Sequence, residues 1–202
     1  SAVYSMLQAG AEFASWRGDL IPELDDRQRA TVATQRRGAT LDVMLDRPDR
    51  HNAITRQMRD ELCNALTLGV LDDTITEIRL TGAGPSFCSG GDLAEFGARG
   101  DVAQAHRIRL AQNPGRLVDR LRDRVVAHVH GSTYGGGIEL AAFARRVVAD
   151  PDTRIALPEV ALGLIPGGGG TVSVTRRIGP QRTAALALAV ESIDAELALD
   201  WG

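Results

Sequence analysis

Glu139 and Glu159 each stand a few residues from glycines, in a chain of 202 residues. The first follows Gly135-Gly136-Gly137-Ile138. The second sits in Leu157-Pro158-Glu159-Val160-Ala161-Leu162-Gly163. A third glycine turn lies upstream, in Ser86-Phe87-Cys88-Ser89-Gly90-Gly91-Asp92-Leu93. Glycine lets a backbone amide approach a ligand closely and at unusual angles. Carboxylates move protons. Amides beside a pair of carboxyl groups are what chemistry next to a polarised carbonyl requires.

Gly136 falls where a strand gives way to a helix. The first N–H groups of a helix lack intrahelical acceptors, and the helix dipole adds partial positive charge there. Gly91 can present a second amide from its own turn, and Asp92 can hold that turn through side-chain to backbone hydrogen bonds. Two such amides converging on one oxygen form an oxyanion hole. Glu139 lies in the first helical turn, so its reach overlaps that of the Gly136 amide. Glu159 interrupts an apolar stretch from 155 to 165, and burial there would raise its pKa. Such a group can hold or release a proton near neutral pH. The tract Pro166-Gly167-Gly168-Gly169-Gly170-Thr171 could position a water or a substrate oxygen. Each feature also has an ordinary reading. Glu139 alone could be an exposed helix-start residue, Glu159 a surface residue at a strand end, and the glycine tract a flexible loop. Arg47 and Arg50 flank Pro48, and arginine forks suit phosphate oxygens. His51, His106, His128 and His130 form no metal-ligand spacing with either cysteine, so no metal is expected.

These residues need elements to hold them. Residues 40–46 alternate as a strand, and Pro48 ends it. Thr55 is placed to cap a helix over 56–71, with Met58, Leu62, Ala65, Leu66 and Gly69 on one face. Further strands are predicted at 75–81, 125–129 and 147–149. Residues 101–123 read as helical, with a break at Asn113-Pro114-Gly115. The glycines at 135–137 lead into an alanine-rich helix ending near Ala144. Pro180 opens a helix over 183–190, and Asp194 caps another. Upstream, 4–16 could form an amphipathic helix and 30–35 a weak strand. Strands and helices alternate throughout, which argues α/β. Residues 1–38 are read as an N-terminal extension, and 39–202 as one core domain.

Composition narrows the field. The chain is 44% apolar and 24% charged, with a formal net charge of −3. Nothing in that balance favours nucleic acid or an anionic membrane as partner. Cys63 and Cys88 make no framework of spaced pairs and read as reduced thiols of a cytoplasmic protein. No apolar run is long enough to span a bilayer, and no signal peptide is visible.

In order, four segments resemble the enoyl-CoA hydratase/isomerase, or crotonase, family: Arg47-Pro48-Asp49-Arg50-His51-Asn52-Ala53-Ile54, residues 87–93, residues 131–141, and residues 158–171. The resemblance covers about residues 40–202. It implies a spiral of ββα units, with the C-terminal helical part of the family missing from this chain, and assembly as a homotrimer or homohexamer. It implies an acyl-CoA thioester as ligand and no cofactor, coenzyme A being part of the substrate. Gly91 and Gly136 would form the oxyanion hole. Glu139 and Glu159 would be the catalytic pair, and Gly167 would border the catalytic water. Arg47, Ala53, Phe87, Ser89, Gly90, Asp92 and Leu93 would border the nucleotide and pantetheine. Both glutamates together favour hydration of a trans-2-enoyl-CoA. Double-bond isomerisation, thioester hydrolysis and non-catalytic acyl-CoA binding stay open as alternatives. The chain departs from the family pattern at Ala94, at Ala144-Arg145 and at Val172-Ser173.

Overall fold

The computed structural model describes residues 29–96, 111–189 and 191–202. The helix expected over 4–16 and the first part of the helical reading at 101–123 lie outside the described residues.

Strand β1 (Val32–Arg37) pairs antiparallel with β2 (Thr40–Leu45) along its whole length. The weak strand expected over 30–35, within the segment read as an N-terminal extension, is thus part of the main sheet. In β2, Leu41, Val43 and Leu45 are buried at every second position, as a half-buried strand requires. Helix α1 (Arg56–Leu71) then crosses to β3 (Glu77–Gly82), which lies parallel to β2. The Thr55 hydroxyl caps α1 by accepting the Met58 N–H at 3.1 Å. Met58, Leu62 and Leu66 are completely buried on one face of α1. Two more parallel strands, β4 (Val125–Val129) and β6 (Arg146–Ala149), complete a sheet of order β1-β2-β3-β4-β6.

A second, smaller sheet has the order β5 (Ser132–Tyr134), β7 (Arg154–Ala156), β8 (Ile193–Asp194). These short strands were not read from the sequence. The chain winds between the sheets: β4 leads to β5 and the helix at Gly136–Ala141, and β6 leads to β7. Earlier turns add single bridges to the same layer, Ile54 with Gly91 and Cys88 with Thr133. Successive turns of a spiral therefore lie side by side, each with one rung in each layer.

The remaining helices fit local signals. Helix α2 (Pro114–Arg120) begins where a break was expected. Asn113 caps it by accepting the Arg116 N–H at 3.1 Å, and Pro114 suits the first helical position, where no donor is needed. Helix α3 is Gly136–Ala141, and α4 is Gly170–Ala189. Gly179 interrupts α4 with φ 80°, so Pro180 opens its second half. Asp194 caps α5 (Ala195–Trp201) by accepting the Leu197 N–H. Both cysteines are free and buried. Among the described residues, no helix is long and apolar enough to cross a membrane.

Glu61, on α1, ties down the entry to β1. Its Oε2 accepts the Thr31 N–H, the Val32 N–H and the Thr31 hydroxyl at 2.7 to 2.9 Å. Burial alone would raise its pKa, but hydrogen bonds from Gln57, Thr31 and Val32 outweigh that and hold it below the ordinary carboxylate value. A carboxylate lowered in this way stabilises the fold above its unfolded pKa, and that share is lost as pH falls through its folded pKa. Glu61→Gln is expected to cost about 1–2 kcal/mol in urea unfolding at neutral pH, with the gap from wild type closing in acid.

Candidate active site

The segment after β3 is fastened on both sides. On one side Ile54 N–H donates to Gly90 O at 2.7 Å, and Asp92 N–H to Ile54 O at 3.0 Å. Ser89 N–H reaches His51 O at 2.9 Å. On the other side Cys88 N–H donates to Ser132 O, and Tyr134 N–H to Cys88 O. In a parallel ladder the residue opposite the bonded one turns its own N–H away from that neighbour. Gly91 N–H therefore points away from Ile54, toward the start of α3.

Gly136 stands there. A methyl group placed on Gly136 would lie 3.7 Å from Gly91 N, and one on Gly90 would lie 3.6 Å from Gly136 N. Both amides thus border one gap. Gly90 and Gly135 are buried, whereas Gly91 and Gly136 are partly exposed, so the two donors line its mouth. Gly135 precedes α3 with φ 47° and ψ −122°, a conformation that L side chains rarely adopt. A side chain there would also meet Glu159 Oε1 at 2.7 Å.

The two carboxyl groups lie close enough to interact electrostatically, and that of Glu159 meets the glycine turn. Glu139 is only 1% exposed and Glu159 7%. Glu159 lies on a 3₁₀ turn (Pro158–Leu162), not at a strand end. Glu139 Oε2 accepts the Gly168 N–H at 2.5 Å. Glu139 Oε1 and Glu159 Oε2 are buried without a hydrogen-bond partner among the described residues. A β-carbon on Gly168 would fall 2.2 Å from Glu139 Oε2, and one on Gly170 would fall 2.8 Å from Oε1. The glycine tract is therefore a cradle for Glu139 that then starts α4. Gly167, expected beside a water, immediately precedes the residue that makes the carboxylate contact.

Burial is the main cause that pushes the Glu139 pKa up, and the Glu159 charge adds to it. The Gly168 and Gly170 N–H groups pull the other way. Burial also raises Glu159, against a smaller opposing effect of its own backbone N–H. Two such acids close together resist double ionisation, so they titrate as a pair. The arrangement can hold one proton while offering one basic oxygen, beside two donors for a developing negative charge.

The expected ligand-border residues divide. Ala53, Ser89, Gly90 and Leu93 lie along the turns that frame the gap. Arg47 is committed inward: its Nη1 donates to Asp92 Oδ2 at 2.5 Å and to Ala53 O at 3.2 Å. Asp92 in turn caps the short 3₁₀ turn Leu93–Glu95 by accepting the Ala94 N–H. Arg47 and Asp92 thus brace the two turns against each other. Phe87, expected at the substrate, is a core residue with a fully buried side chain.

Two supporting residues were not singled out from the sequence. Asn52 is fully buried with φ 54°. Its Nδ2 donates to Ala83 O, Ser86 O and Phe87 O, and its Oδ1 accepts the Arg47 N–H. Ser173, one of the departures from the family pattern, donates its hydroxyl to Glu139 O at 2.8 Å. A polar residue in a turn that needs positive φ was the available signal for Asn52; nothing local marked Ser173.

Two backbone amides bordering one gap, near a buried carboxyl pair, are a combination that can stabilise charge on a carbonyl while protons move. The sequence model of the family described as enoyl-CoA hydratase/isomerase matches residues 35–202, and the chain belongs to that family. It is 34% identical over 172 residues to the enoyl-CoA isomerase/hydratase fer4 of Mycosarcoma maydis, a match covering 79% of this chain and 62% of the relative. The chain thus spans less than two thirds of that relative's length. The enoyl-CoA hydratase structure from Thermoplasma volcanium superposes with TM-score 0.77 at 30% identity, over 88% of this chain and 71% of that one. A structure from Thermobifida fusca described as a putative enoyl-CoA hydratase in complex with acetoacetyl-CoA gives TM-score 0.78 at 27% identity, over 85% and 71%. The fold is the crotonase fold expected from the sequence.

Raised carboxyl pKa values have a defined effect on stability. The folded chain then binds protons more tightly than the unfolded chain. That stabilisation is complete below the ordinary carboxylate value of 4.5 and is lost as pH rises through the folded values. Glu139→Gln should therefore flatten the decline in unfolding free energy between about pH 5 and about pH 8. Chemical denaturation across that range checks it.

Proposed function

We propose that this protein adds water across the 2,3 double bond of a trans-2-enoyl-CoA through a thioester enolate. The observation that supports it most is the pair of buried carboxyl groups on Glu139 and Glu159, each with an unpartnered oxygen and interacting electrostatically, with Glu159 reaching the glycine turn that carries the Gly136 amide. The family membership and the acetoacetyl-CoA complex of the Thermobifida fusca neighbour support an acyl-CoA ligand.

In this reading the thioester oxygen sits between the two amides. Water attacks the β-carbon, and Glu139 takes its proton. The C–C π electrons move onto the carbonyl as an enolate, which the two N–H groups stabilise without reorganising. Glu159 gives its proton to the α-carbon, and the carbonyl re-forms. The product gains one hydrogen and one hydroxyl. One carboxyl ends protonated and the other ionised, the reverse of their starting states, and a proton exchange between them resets the pair. Coenzyme A enters as part of the substrate, so the reaction needs no separate cofactor. Assembly as a homotrimer or homohexamer and a cytoplasmic location are part of the same proposal, on the strength of the family resemblance.

Isomerisation is the second reading, favoured by the name of the fer4 relative. It reaches an enolate that the same amides could hold by removing a proton from the substrate, returns a proton to a different carbon and consumes no water. A product heavier than crotonyl-CoA by one water, formed as the enone ultraviolet absorbance is lost, separates the two, because moving the double bond also removes the conjugation. Hydration bleaches the band, and Glu139→Gln and Glu159→Gln should each slow it roughly 100- to 10,000-fold with little change in binding. Bleaching that survives both substitutions would remove the glutamates from the mechanism.

A further inference from the structure

The Cys88 thiol is fully buried, and the proposed reaction does not use it. Its sulfur lies 3.4 Å from Gly90 N, which donates to it, and 3.8 Å from Gly90 O, to which the S–H can donate. The same Gly90 carbonyl receives the Ile54 N–H at 2.7 Å. Gly90 C=O and Gly91 N–H belong to one peptide unit. That unit is planar and trans, so its C=O and N–H point in opposite directions. Whatever fixes the Gly90 carbonyl fixes the direction of the Gly91 amide.

We infer that Cys88 is a positioning residue for the oxyanion hole: its thiol and the Ile54 N–H together aim the Gly91 N–H across the gap at the substrate oxygen. Gly90 has φ 105°, a conformation open to glycine but weakly restrained by its own sterics. The turn therefore needs outside hydrogen bonds to hold one orientation. The space below Cys88 is also filled. A β-carbon on Gly137 would meet Cys88 O at 2.6 Å and Cys88 Cβ at 2.9 Å, so α3 packs directly against this residue. Glu139 Oε1, on a residue 1% exposed, and Glu159 Oε2 have no partner among the described residues, and the other Glu159 oxygen meets Gly135 beside the Gly136 amide, so a ligand is expected on this side of the turn. Burial pushes the Cys88 thiol up to about 12, so it stays protonated and able to donate.

The substrate side of this inference rests on the enolate reading above, but the orientation of the amide does not. The test therefore has two arms on the full chain, with Cys88→Ser, Cys88→Ala and Cys88→Val compared with wild type. Serine keeps a donor and an acceptor. Valine fills the thiol's volume without either, and serves if the alanine cavity unfolds the chain. In the ligand-free arm, the residual dipolar coupling of the Gly91 N–H reads its direction. Wild type and Cys88→Ser should agree, and Cys88→Ala or Cys88→Val should differ. In the second arm, kcat on crotonyl-CoA should fall roughly tenfold in the apolar variants at near-constant KM, less than the 100- to 1000-fold of losing a donor outright. Serine should restore it, and Cys88→Ala should narrow the infrared shift of the bound thioester carbonyl. Cys63→Ala, which removes the other buried thiol, should leave kcat unchanged. An unaltered Gly91 coupling in a folded apolar variant overturns the inference. So does a kcat loss that serine fails to restore. If wild type neither binds nor turns over crotonyl-CoA, the enolate reading fails, and the coupling alone decides the role of the thiol.

Discussion

Ile54 donates its N–H to Gly90 O at 2.7 Å and takes the Asp92 N–H on its own carbonyl. On the opposite flank, Cys88 exchanges backbone hydrogen bonds with Ser132 and Tyr134. These bonds join three successive turns of the spiral in the second layer. The turn after β2, the turn after β3 and strand β5 become neighbours there, although they are far apart in sequence. Gly91 and Gly136 end on opposite sides of one gap because they sit on adjacent rungs. Asn52 makes the first of these joints rigid by giving its amide to three carbonyls of the second. Arg47 and Asp92 lock the same joint from outside with a half-buried ion pair.

The carboxyl pair is placed at a cost to stability. A buried acid disfavours its charged form, and a second acid beside it adds repulsion. The chain meets that cost only in part. Gly168 supplies one hydrogen bond to Glu139, Ser173 fixes the Glu139 backbone, and two carboxyl oxygens remain without partners among the described residues. Local structure that leaves polar atoms unsatisfied points to function rather than to folding. The glycines around the pair follow from the same geometry. Gly135, Gly168 and Gly170 stand where any side chain would collide with a glutamate.

Much of this was legible in the sequence because it is written in short-range signals. Thr55 and Asp194 announce helix starts by side-chain capping, and the alternation of Leu41, Val43 and Leu45 announces a half-buried strand; Asn113, read as a break, turns out to cap the helix that follows it. The glutamates and their glycines were legible as candidates, and their order along the chain as a family resemblance. What was hidden is pairing between distant turns. Strands β5, β7 and β8 are two or three residues long, too short for any period to show. Arg47 looked free for phosphate because nothing nearby in sequence reveals Asp92 as its partner. Phe87 looked like a ligand contact because its motif borders the site, yet its ring is fully buried in the core between the equally buried Ser86 and Cys88. Asn52 and Cys88 were visible only as letters within motifs, since their roles lie in which carbonyls they meet.

The central claim is that Gly91 and Gly136 act on one oxygen. A crystal structure of this chain with a bound acyl-CoA tests it most directly. The account predicts the thioester oxygen within about 2.7–3.1 Å of both backbone nitrogens, with its β-carbon facing the glutamate pair. A thioester oxygen bonded to only one of the two amides, or an acyl group lying outside the gap, would contradict it.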